Sequence, residues 1–534
     1  MKITPYPLTS LPSTNPLVKD YLQQDAGLSD YFTFAPNREG LADALKIAGE
    51  KNWNREVLVN SLLRQYQEAG ITVEGAVHDN IEKLRNNNTF TITTGHQLCI
   101  FTGPLYYIYK IAGIIRLSQT LREQHPDVHV VPVFWMATED HDFEEIRSCH
   151  LFGKTFTWER DAKGPVGRLS TEGLDQVWHA IDETLGQGEH ADELRALFND
   201  AYLNSPSLAE ATRKLVHGLF ASYGLVILDG DDPELKQLFV DVMTEDALNL
   251  STEPLVKATS GRLEAQYPAQ VFPRPVNLFY LGADRYRIKP PEETGNDTYD
   301  LGDMQVGRDQ LASMIREQPG SFSPNVILRP IYQQIILPNI AYVGGGAEVA
   351  YWLQLKAAFN HHKAFYPVVL HRDSLLWIDR NQQTRLDKLD LTWQDLMLDK
   401  DDLIRQWLSR HEEAEPSLDE AKKKVEALFG EVATQAAVVD PSLEKAVGAE
   451  GQKAVKMLEA IESRIRKAAK KKHETELSQV EQVQAKLFPN GGLQERYDNF
   501  IPLYLKHGRG FLDAVIQNAD PVSAMLKVVT DDES

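Results

Sequence analysis

The sequence is poor in cysteine and has no surplus of positive charge. Its 534 residues include two cysteines, Cys99 and Cys149, which are too few for a disulfide framework. A reducing, cytoplasmic location is therefore expected. Asp and Glu number 77 against 56 for Lys and Arg, which gives a net charge of −21. Because binding to nucleic-acid phosphates requires an excess of basic residues, this balance argues against a nucleic-acid-binding protein.

Long hydrophobic runs and repeats are also missing. The first seven residues lack the apolar core of a signal peptide, and the apolar stretch 108–117 is interrupted by Lys110 and Arg116. A bilayer span needs about 20 predominantly apolar residues, so no membrane segment is predicted. We find no internal repeat and no low-complexity segment. The content of 42% hydrophobic and 25% charged residues is typical of a folded protein with a large core.

Apolar strands alternate with helices up to about residue 380. The strand candidates are 89–94, 128–136, 224–229, 341–343 and 366–370. Continuous apolar runs of this kind are typical of parallel strands that are covered on both faces. The helix predicted over 105–123 is long enough for a right-handed crossover between the first two strands. The pattern therefore predicts an α/β fold with a Rossmann-like, doubly wound core.

Other segments of this half give weaker signals. Four prolines, at positions 5, 7, 12 and 16, are expected to keep the start of the chain out of helix. Helices are predicted over 41–50, 52–69 and 77–86, and a hairpin is predicted over 276–288. A single helix is expected from Gly346 through Phe359.

After residue 380 the alternation of strands and helices stops, and the sequence pattern predicts helices. No strand candidate occurs over 381–486, and two long helices are predicted over Ser417–Val438 and Ser442–Leu487. Their apolar residues follow three- and four-residue steps, which indicates an antiparallel coiled-coil hairpin. The expected domains are a core over 1–380, a helical domain over 381–487 and a segment over 488–534 that packs back on the core.

An unpaired hairpin of this kind would leave its apolar stripe in water. That exposure is unfavourable by roughly 25 cal/mol per Å², so a homodimer through the hairpin is predicted. The alternative is a monomer in which the stripe is buried within the hairpin itself.

The first candidate site follows the first strand of the core. It comprises Thr94, Gly95, His96, Gln97, Thr102, Gly103 and Tyr106. In open α/β sheets the carboxyl ends of strands face the ligand crevice, and amides at a helix N-terminus favour anions such as phosphate. We predict that His96 donates a hydrogen bond to a phosphoryl oxygen. The alternative is a tight turn whose histidine bonds locally.

The second candidate site follows the second strand. It comprises Glu139, Asp140, His141 and Asp142. Crowded carboxylates and a histidine have shifted pKa values, as acid–base catalysis requires, and carboxylate oxygens also suit Mg²⁺. We predict catalytic roles for Asp140 and His141, together with His96. The alternative is an acidic helix N-terminus, where carboxylates interact favourably with the helix dipole.

A glycine-rich turn forms the third candidate site. Gly344, Gly345 and Gly346 separate a short strand from a helix that carries Glu348. Such a turn can form an amide nest, so we predict substrate contacts for Gly344, Gly345 and Glu348. The spacing matches neither a dinucleotide fingerprint nor a phosphate-binding loop with its lysine. The alternative is a turn whose glycines serve packing alone.

A zinc site receives little support from the sequence. Its ligands would have to come from Cys99, Cys149, His96, His141 and His150. No Cys-x-x-Cys spacing occurs, so no metal ligand is predicted. Cys99 is also a weak candidate nucleophile, because it lies within an apolar run.

These motifs together resemble the cysteine ligase family of bacillithiol biosynthesis. The matching stretches are TGHQ at 94–97, FTGPLY at 101–106, PVFW at 132–135, EDHDFEEI at 139–146, YVGG at 342–345 with Glu348, Ala350, Tyr351 and Trp352, and FPNGGLQER at 488–496. Each stretch alone is weak evidence, whereas the collinear set is specific.

The resemblance implies a Rossmann-like core with inserted connecting segments and a coiled-coil domain that forms a homodimer. It implies a ligase that adds cysteine to glucosaminyl malate in the last step of bacillithiol synthesis. The core is distantly similar to class I aminoacyl-tRNA synthetases, in which a histidine-containing motif holds ATP phosphates. An adenine nucleotide (ATP or ADP) and Mg²⁺ stay open as cofactors, with nucleotide contacts carried over to Trp377, Asn490 and Arg496.

Two other functions stay open on the sequence alone. One is a nucleotidyl-transfer enzyme that acts on another small acid, and the other is a non-catalytic coiled-coil scaffold that senses a ligand. Turnover separates the enzymes from the scaffold, and the mass of the product separates the two enzymes.

Glucosaminyl malate carries two carboxylates, whereas the chain carries a net charge of −21. A local cluster of cations is therefore required. The candidates are Lys110, Arg116, Arg329 and Arg372. We favour Arg372 because its planar fork can bind a carboxylate bidentately. The alternatives are that Arg372 pairs within the protein and that Lys110 is a solvated surface residue.

Overall fold

The computed structural model describes residues 2–411 and 418–531, which divide into two compact units. The larger unit comprises 3–375 and 495–528, and the smaller unit comprises 376–494 with the outermost residues of both termini. The chain thus leaves the larger unit after Leu375 and returns to it at Glu495. The predicted helix start at Ser417 lies outside the described residues.

The strands are short, and most of them lie in the larger unit. They are β1 (Lys2–Pro7), β2 (Thr89–His96), β3 (His129–Met136), β4 (Ser148–Leu151), β5 (Lys154–Thr157), β6 (Val226–Asp229), β7 (Leu278–Leu281), β8 (Arg285–Arg287), β9 (Tyr299–Asp300), β10 (Gln305–Val306), β11 (Phe322–Pro324), β12 (Asn339–Gly344), β13 (Val368–His371), β14 (Ser374–Ile378) and β15 (Met525–Thr530).

Helices surround these strands and form most of the smaller unit. Those of the larger unit are α1 (Pro16–Leu22), α2 (Arg38–Gly49), α3 (Arg55–Glu68), α4 (Gly75–Lys83), α5 (Tyr106–Gln124), α6 (Phe143–Ile146), α7 (Leu174–Leu185), α8 (Glu189–Phe198), α9 (Leu208–Phe220), α10 (Pro233–Gln237), α11 (Val240–Asn249), α12 (Thr252–Leu263), α13 (Pro291–Thr294), α14 (Arg308–Glu317), α15 (Arg329–Ile336), α16 (Gly346–Trp352), α17 (Lys356–His361), α23 (Ile501–His507) and α24 (Arg509–Asn518). Those of the smaller unit are α18 (Arg380–Lys388), α19 (Lys400–His411), α20 (Asp419–Val439), α21 (Ser442–Lys472) and α22 (Glu474–Leu487).

A five-stranded parallel sheet forms the centre of the larger unit. Its strand order is β13-β12-β2-β3-β6. The chain proceeds from β2 through β3 to β6 on one side, and β12 then pairs with the opposite edge of β2. This reversal between β2 and β12 is the switch point at which doubly wound sheets bind ligands. The predicted α/β, Rossmann-like fold class is confirmed.

The register of this sheet aligns the carboxyl ends of its strands. His96 lies opposite Met136, which lies opposite Asp229, and on the other side Gly344 lies opposite His371. Every residue of β2 and of β12 is buried, as expected for strands covered on both faces. The sheet therefore presents the residues that follow these strands along one edge.

The crossover helix α5 is buried on most of its surface. It packs against β2 and β3 on one side, and α24 packs against α5. Lys110 is therefore a buried residue in the first half of the helix, and the interpretation of Lys110 as a solvated surface residue is wrong. A separate antiparallel sheet, in the order β11-β7-β8, contains the predicted hairpin.

In the smaller unit α20 and α21 pack antiparallel to each other. The Lys422 ammonium lies 2.6 Å from the Glu462 carboxylate, and Gly451 lies against the ring of Phe429. These two contacts join positions that are about equally far from the turn at Asp440 on each helix. The predicted hairpin is thus observed, with α20 followed by α21 after a short turn.

Three sequence predictions differ from the structure. Pro16 begins α1, because the first turn of a helix does not need the backbone N–H that proline lacks. The helix predicted from Gly346 to Phe359 is divided into α16 and α17. The helix predicted over Ser442–Leu487 ends at Lys472, and α22 begins after His473. The apolar side chains of α22 are buried within the smaller unit, where the helix contacts α18 and α19.

None of the helices within 2–411 and 418–531 is both long enough and apolar enough to cross a membrane.

Candidate active site

The carboxyl ends of β2, β3 and β12 open into a cavity of about 590 Å³ in the larger unit. Six cationic side chains line it, namely Lys110, Arg274, Arg285, Arg329, Arg372 and Arg496. Four carboxylates line it as well, namely Glu139, Asp140, Glu145 and Glu348. The cavity thus carries more positive than negative side chains, although the whole chain is strongly acidic.

Lys110, which is buried, and Glu348, which is partly exposed to the cavity, form an ion pair on the cavity wall. The Lys110 ammonium also donates to the Gly95 carbonyl oxygen at 2.9 Å. Glu348 accepts from the Gly345 backbone N–H at 2.7 Å and from the Tyr342 hydroxyl. Burial raises the pKa of Glu348, but the Lys110 charge and these donors outweigh it and lower the pKa to about 2. The amide at the predicted glycine nest is therefore already occupied by Glu348.

Asp140 and Arg285 form a second ion pair at the cavity. Arg285 Nη1 lies 3.1 Å from Asp140 Oδ1, and the Gln97 amide donates to Asp140 Oδ2 at 2.6 Å. Although burial opposes ionisation, the hydrogen bond with His141 and the Arg285 charge hold the pKa of Asp140 well below its usual range. The Arg285 guanidinium lies 4.0 Å from the centroid of the Phe279 ring. The β7–β8 hairpin thus brings a cation to the carboxyl end of β3.

Glu139 pairs with a lysine behind the cavity wall. Lys236 Nζ lies 2.8 Å from Glu139 Oε1 and 2.7 Å from Asp231 Oδ1, and Lys236 is fully buried. Burial raises the pKa of Glu139, while the Lys236 charge opposes this rise. Arg168 binds Asp231 from the other side at 2.8 Å. Glu139 is therefore held in place by a network of alternating charge whose centre, Lys236, is buried.

Arg372 is buried and pairs with the fully buried Glu495 at 2.7 Å. Its Nη1 also donates to the Asp373 carbonyl oxygen at 2.8 Å, and its guanidinium lies 4.8 Å from the centroid of the Tyr106 ring. The Nε–H of Arg372 has no hydrogen-bond partner among the described residues. Arg372 thus lines the cavity with one donor unused, although its fork already binds Glu495.

His96 is buried at the end of β2, beside the rings of Tyr106 and Tyr107. Its Nδ1 lies 3.0 Å from the Gln97 carbonyl oxygen, which only accepts, so Nδ1 carries the hydrogen and Nε2 is an acceptor. Burial lowers the pKa of His96 to about 3, and the Lys110 charge acts in the same direction. The ring is therefore neutral at physiological pH, and donation from Nε2 to a phosphoryl oxygen requires the other tautomer.

Cys99 lies behind His96, with its Sγ 3.9 Å from His96 Nδ1. Burial raises the pKa of the Cys99 thiol well above its usual range, which disfavours a thiolate nucleophile. Across the part of the chain that the structure describes, no group of three or more His, Cys, Asp and Glu side chains is arranged to hold a metal ion.

Asn499 clamps the loop that connects β2 to α5. Phe101, Thr102 and Gly103 all have positive φ, a conformation that residues other than glycine rarely adopt. The Asn499 amide donates to the carbonyl oxygens of Phe101 at 2.8 Å and of Gly103 at 2.6 Å. The Phe101 N–H donates to the Tyr202 hydroxyl at 2.6 Å. These bonds fix the loop between His96 and Tyr106.

Asn499→Asp is expected to lower the free energy of unfolding by about 3 kcal/mol or more. The carboxylate removes both N–H donors and faces two buried carbonyl oxygens, each of which costs about 1–3 kcal/mol when it is left unpaired. Chemical denaturation measures the change. Asn518→Asp is the matched control, because Asn518 is exposed and donates to the Ala514 carbonyl oxygen alone. Equal stabilities of the two variants would contradict the clamp.

Comparison with known proteins identifies the family. The model of the bacillithiol biosynthesis BshC N-terminal Rossmann-like domain matches residues 1–373, and that of the BshC C-terminal coiled-coil domain matches residues 375–530. This chain belongs to the BshC family. A relative from Flavobacterium johnsoniae, named "Putative cysteine ligase BshC", is 40% identical over 96% of this chain and 97% of its own length. Relatives of the same name from Cytophaga hutchinsonii and Christiangramia forsetii are 39% and 36% identical, over 94% and 98% of each chain.

The BshC fold brings most of the predicted site residues to one cavity. Those that line it are Gly95, His96, Gln97, Tyr106, Glu139, Asp140, Gly345, Glu348, Arg372 and Arg496. Others in the larger unit do not line it, namely Thr94, Thr102, Gly103, His141, Asp142 and Gly344. Trp377 and Asn490 belong to the smaller unit. The roles proposed for all of these residues stay predictions.

Several of the predicted site residues serve the fold directly. The Thr94 hydroxyl donates to the Val343 carbonyl oxygen at 2.7 Å, which joins β2 to β12. Asp142 caps α6 by accepting a hydrogen bond from the Glu145 backbone N–H at 3.1 Å. This is the role that the alternative interpretation, an acidic helix N-terminus, predicts for Asp142. The Trp377 backbone N–H donates to the Gln494 amide oxygen at 3.1 Å.

Sequence reasoning missed two cations that line the BshC cavity. Arg285 and Arg274 lie on or next to the β7–β8 hairpin, in a turn-rich region far along the chain from β2. The predicted hairpin was the available signal, but nothing in its pattern placed it beside the parallel sheet. Of the four cation candidates, Lys110, Arg329 and Arg372 line the cavity, and Arg116 does not.

Proposed function

We propose that this BshC-family chain is a ligase that adds cysteine to glucosaminyl malate. The observation that carries the proposal is the cationic cavity within a chain of net charge −21. A substrate with two carboxylates is attracted by such a local excess of cations, although the global field opposes it. The names of the relatives support a cysteine-adding reaction.

The proposed roles in amide formation fall to residues that line the cavity and to His141, which contacts the cavity residue Arg285. Arg329 and Arg372 are proposed to hold the malate carboxylates, because arginine forks match carboxylate geometry. Asp140 and His141 are proposed to act in proton transfer, and His96 is proposed to accept a hydrogen bond at Nε2. An adenine nucleotide with Mg²⁺ is proposed as the energy source, with Arg496 of the cavity lining as a nucleotide contact.

The proposal is tested with the purified chain, glucosaminyl malate and cysteine. Parallel reactions contain or lack ATP and Mg²⁺, and mass spectrometry follows the products. We expect a product whose mass equals that of the two substrates less one water. A nucleotidylated product would instead indicate nucleotidyl transfer, and binding without turnover would indicate a ligand-sensing scaffold. Product formed without ATP would exclude the nucleotide as an obligatory energy source.

We further propose that the chain works in the cytoplasm as a homodimer through α20 and α21. Large apolar side chains are exposed along both helices, including Val438 at 86% and Met457 at 67% exposure. The two cysteines are free and buried, which fits a reducing compartment.

The expected molar mass in solution is therefore about twice 60.3 kDa. Burial of the exposed apolar stripe against a second copy provides the driving force, at roughly 25 cal/mol per Å². Light scattering of the intact chain measures the mass. A value near 60.3 kDa throughout the micromolar range would mean that the chain is a monomer.

A further inference from the structure

Three of the four carboxylates that line the cavity form ion pairs within the described part of the chain, and the fourth does not. Glu139 pairs with Lys236, Asp140 pairs with Arg285, and Glu348 pairs with Lys110. The fourth, Glu145, lines the same cavity, and within residues 2–411 and 418–531 its carboxylate has neither an ion pair nor a hydrogen bond. A cavity built for an anionic substrate thus contains one acidic group without an internal cation.

The backbone of the short helix α6 fixes the position of Glu145. Its N–H donates to the Asp142 side chain at 3.1 Å, and Phe143 and Ile146 are buried on either side. The preceding residue, Glu144, is 78% exposed and pairs with Arg147 at 3.3 Å. Both glutamates are exposed to solvent, but of the two only Glu145 also lines the cavity.

We propose that Glu145 binds the ammonium group of the amine substrate and accepts one of its protons. The inference rests on the proposed ligase function and assigns a further catalytic residue to it. In this step an N–H bond of the ammonium breaks and an O–H bond forms on the Glu145 carboxyl group. The nitrogen keeps the electron pair as a neutral amine, which is the form that can attack an acyl carbon.

The surroundings of Glu145 suit a group that takes up a proton. Burial raises its pKa, and the negative charges of Asp142, Asp140 and Glu348 act in the same direction. The Lys110 charge opposes the rise. The thiol of Cys99 and the phenol of Tyr106 also lie within range of the Glu145 charge. Both are neutral at physiological pH, because burial raises their pKa values.

Steady-state kinetics of Glu145→Gln test the proposal, with Glu144→Gln as the matched control. We expect kcat/KM for glucosaminyl malate to fall about 100-fold in Glu145→Gln, as for the loss of a general base. The acidic limb of the pH profile of kcat/KM should also disappear, whereas Glu144→Gln should stay within about twofold of wild type. Kinetics and a pH profile of Glu145→Gln that match wild type would overturn the proposal.

A binding experiment separates this inference from the proposed function. Calorimetry compares glucosaminyl malate with its N-acetylated analogue, which has no ammonium group. The variant Glu145→Gln should bind the free amine about tenfold more weakly than wild type and bind the analogue equally well. Equal affinities of wild type and variant for the free amine would refute the ammonium contact. If the wild-type chain binds glucosaminyl malate but forms no amide, the proposed ligase function is wrong. The measured affinities still decide whether Glu145 contacts the ammonium group.

Discussion

Replacing Lys110 by Met is expected to lower the free energy of unfolding by about 3 to 5 kcal/mol at neutral pH. The substitution keeps an unbranched side chain in α5 but leaves the largely buried Glu348 carboxylate without its cation. Breaking a buried ion pair by removing one partner costs this much because the remaining charge is uncompensated. The Gly95 carbonyl oxygen also loses the donor that lies 2.9 Å away. Chemical denaturation at neutral pH measures the loss.

The stability lost in Lys110→Met should be greater at neutral pH than at acidic pH. The pKa of Glu348 in the folded chain is about 2, below its ordinary value of 4.5, so the pair contributes stability above about pH 4.5. That contribution is lost as the pH falls toward 2. The difference between wild type and Lys110→Met should therefore be largest at neutral pH and should shrink through this window.

The double variant Lys110→Met with Glu348→Gln supplies the control. Since it removes both charges, it should recover most of the stability that the single variant loses. A double variant no more stable than Lys110→Met would mean that the unpaired carboxylate is not the source of the loss.

Arg372→Lys is expected to raise the KM for glucosaminyl malate about 10- to 100-fold and to change the KM for cysteine little. Lysine retains the charge opposite Glu495, but it lacks the planar fork and the unpaired Nε–H. A lost hydrogen bond to a charged group is worth about 1.5 to 3 kcal/mol, which corresponds to this range of KM. Steady-state kinetics in which each substrate is varied in turn measure both constants.

Arg116→Lys is the matched control for Arg372→Lys. Arg116 also lies in the larger unit, but it lines a much smaller pocket of about 30 Å³. Its substitution should leave both KM values unchanged. If Arg372→Lys gives the kinetics of wild type, Arg372 is not a malate ligand and serves only to pair with Glu495.

The parallel sheet was predictable because its strands are continuous apolar runs. The ends of β2, β3 and β12 were also predictable, because a glycine or a polar residue occurs within two positions after each run. The prediction that these ends form a ligand site followed from the rule that parallel strands present their carboxyl ends along one edge. His96, Asp140 and Glu348 were found in this way.

The partners of these residues were not predictable, because they come from distant parts of the chain. Arg285 reaches Asp140 from the β7–β8 hairpin, and Glu495 reaches Arg372 across 123 positions of sequence. No local pattern specifies such pairings. Lys110 was uncertain for a different reason. Helix α5 is buried around most of its circumference, so its sequence lacks the polar face that would distinguish buried from exposed positions.

The order of the chain has a consequence for synthesis on the ribosome. The cavity requires Arg496 and the clamp requires Asn499, but the larger unit is interrupted by residues 376–494. At an elongation rate of roughly 5 to 20 residues per second, translation of this interruption takes about 6 to 24 s. During that time the parallel sheet is already complete, whereas the loop between β2 and α5 has no clamp and Arg372 has no counter-ion. The nascent core must therefore persist without part of its site until its last segment emerges.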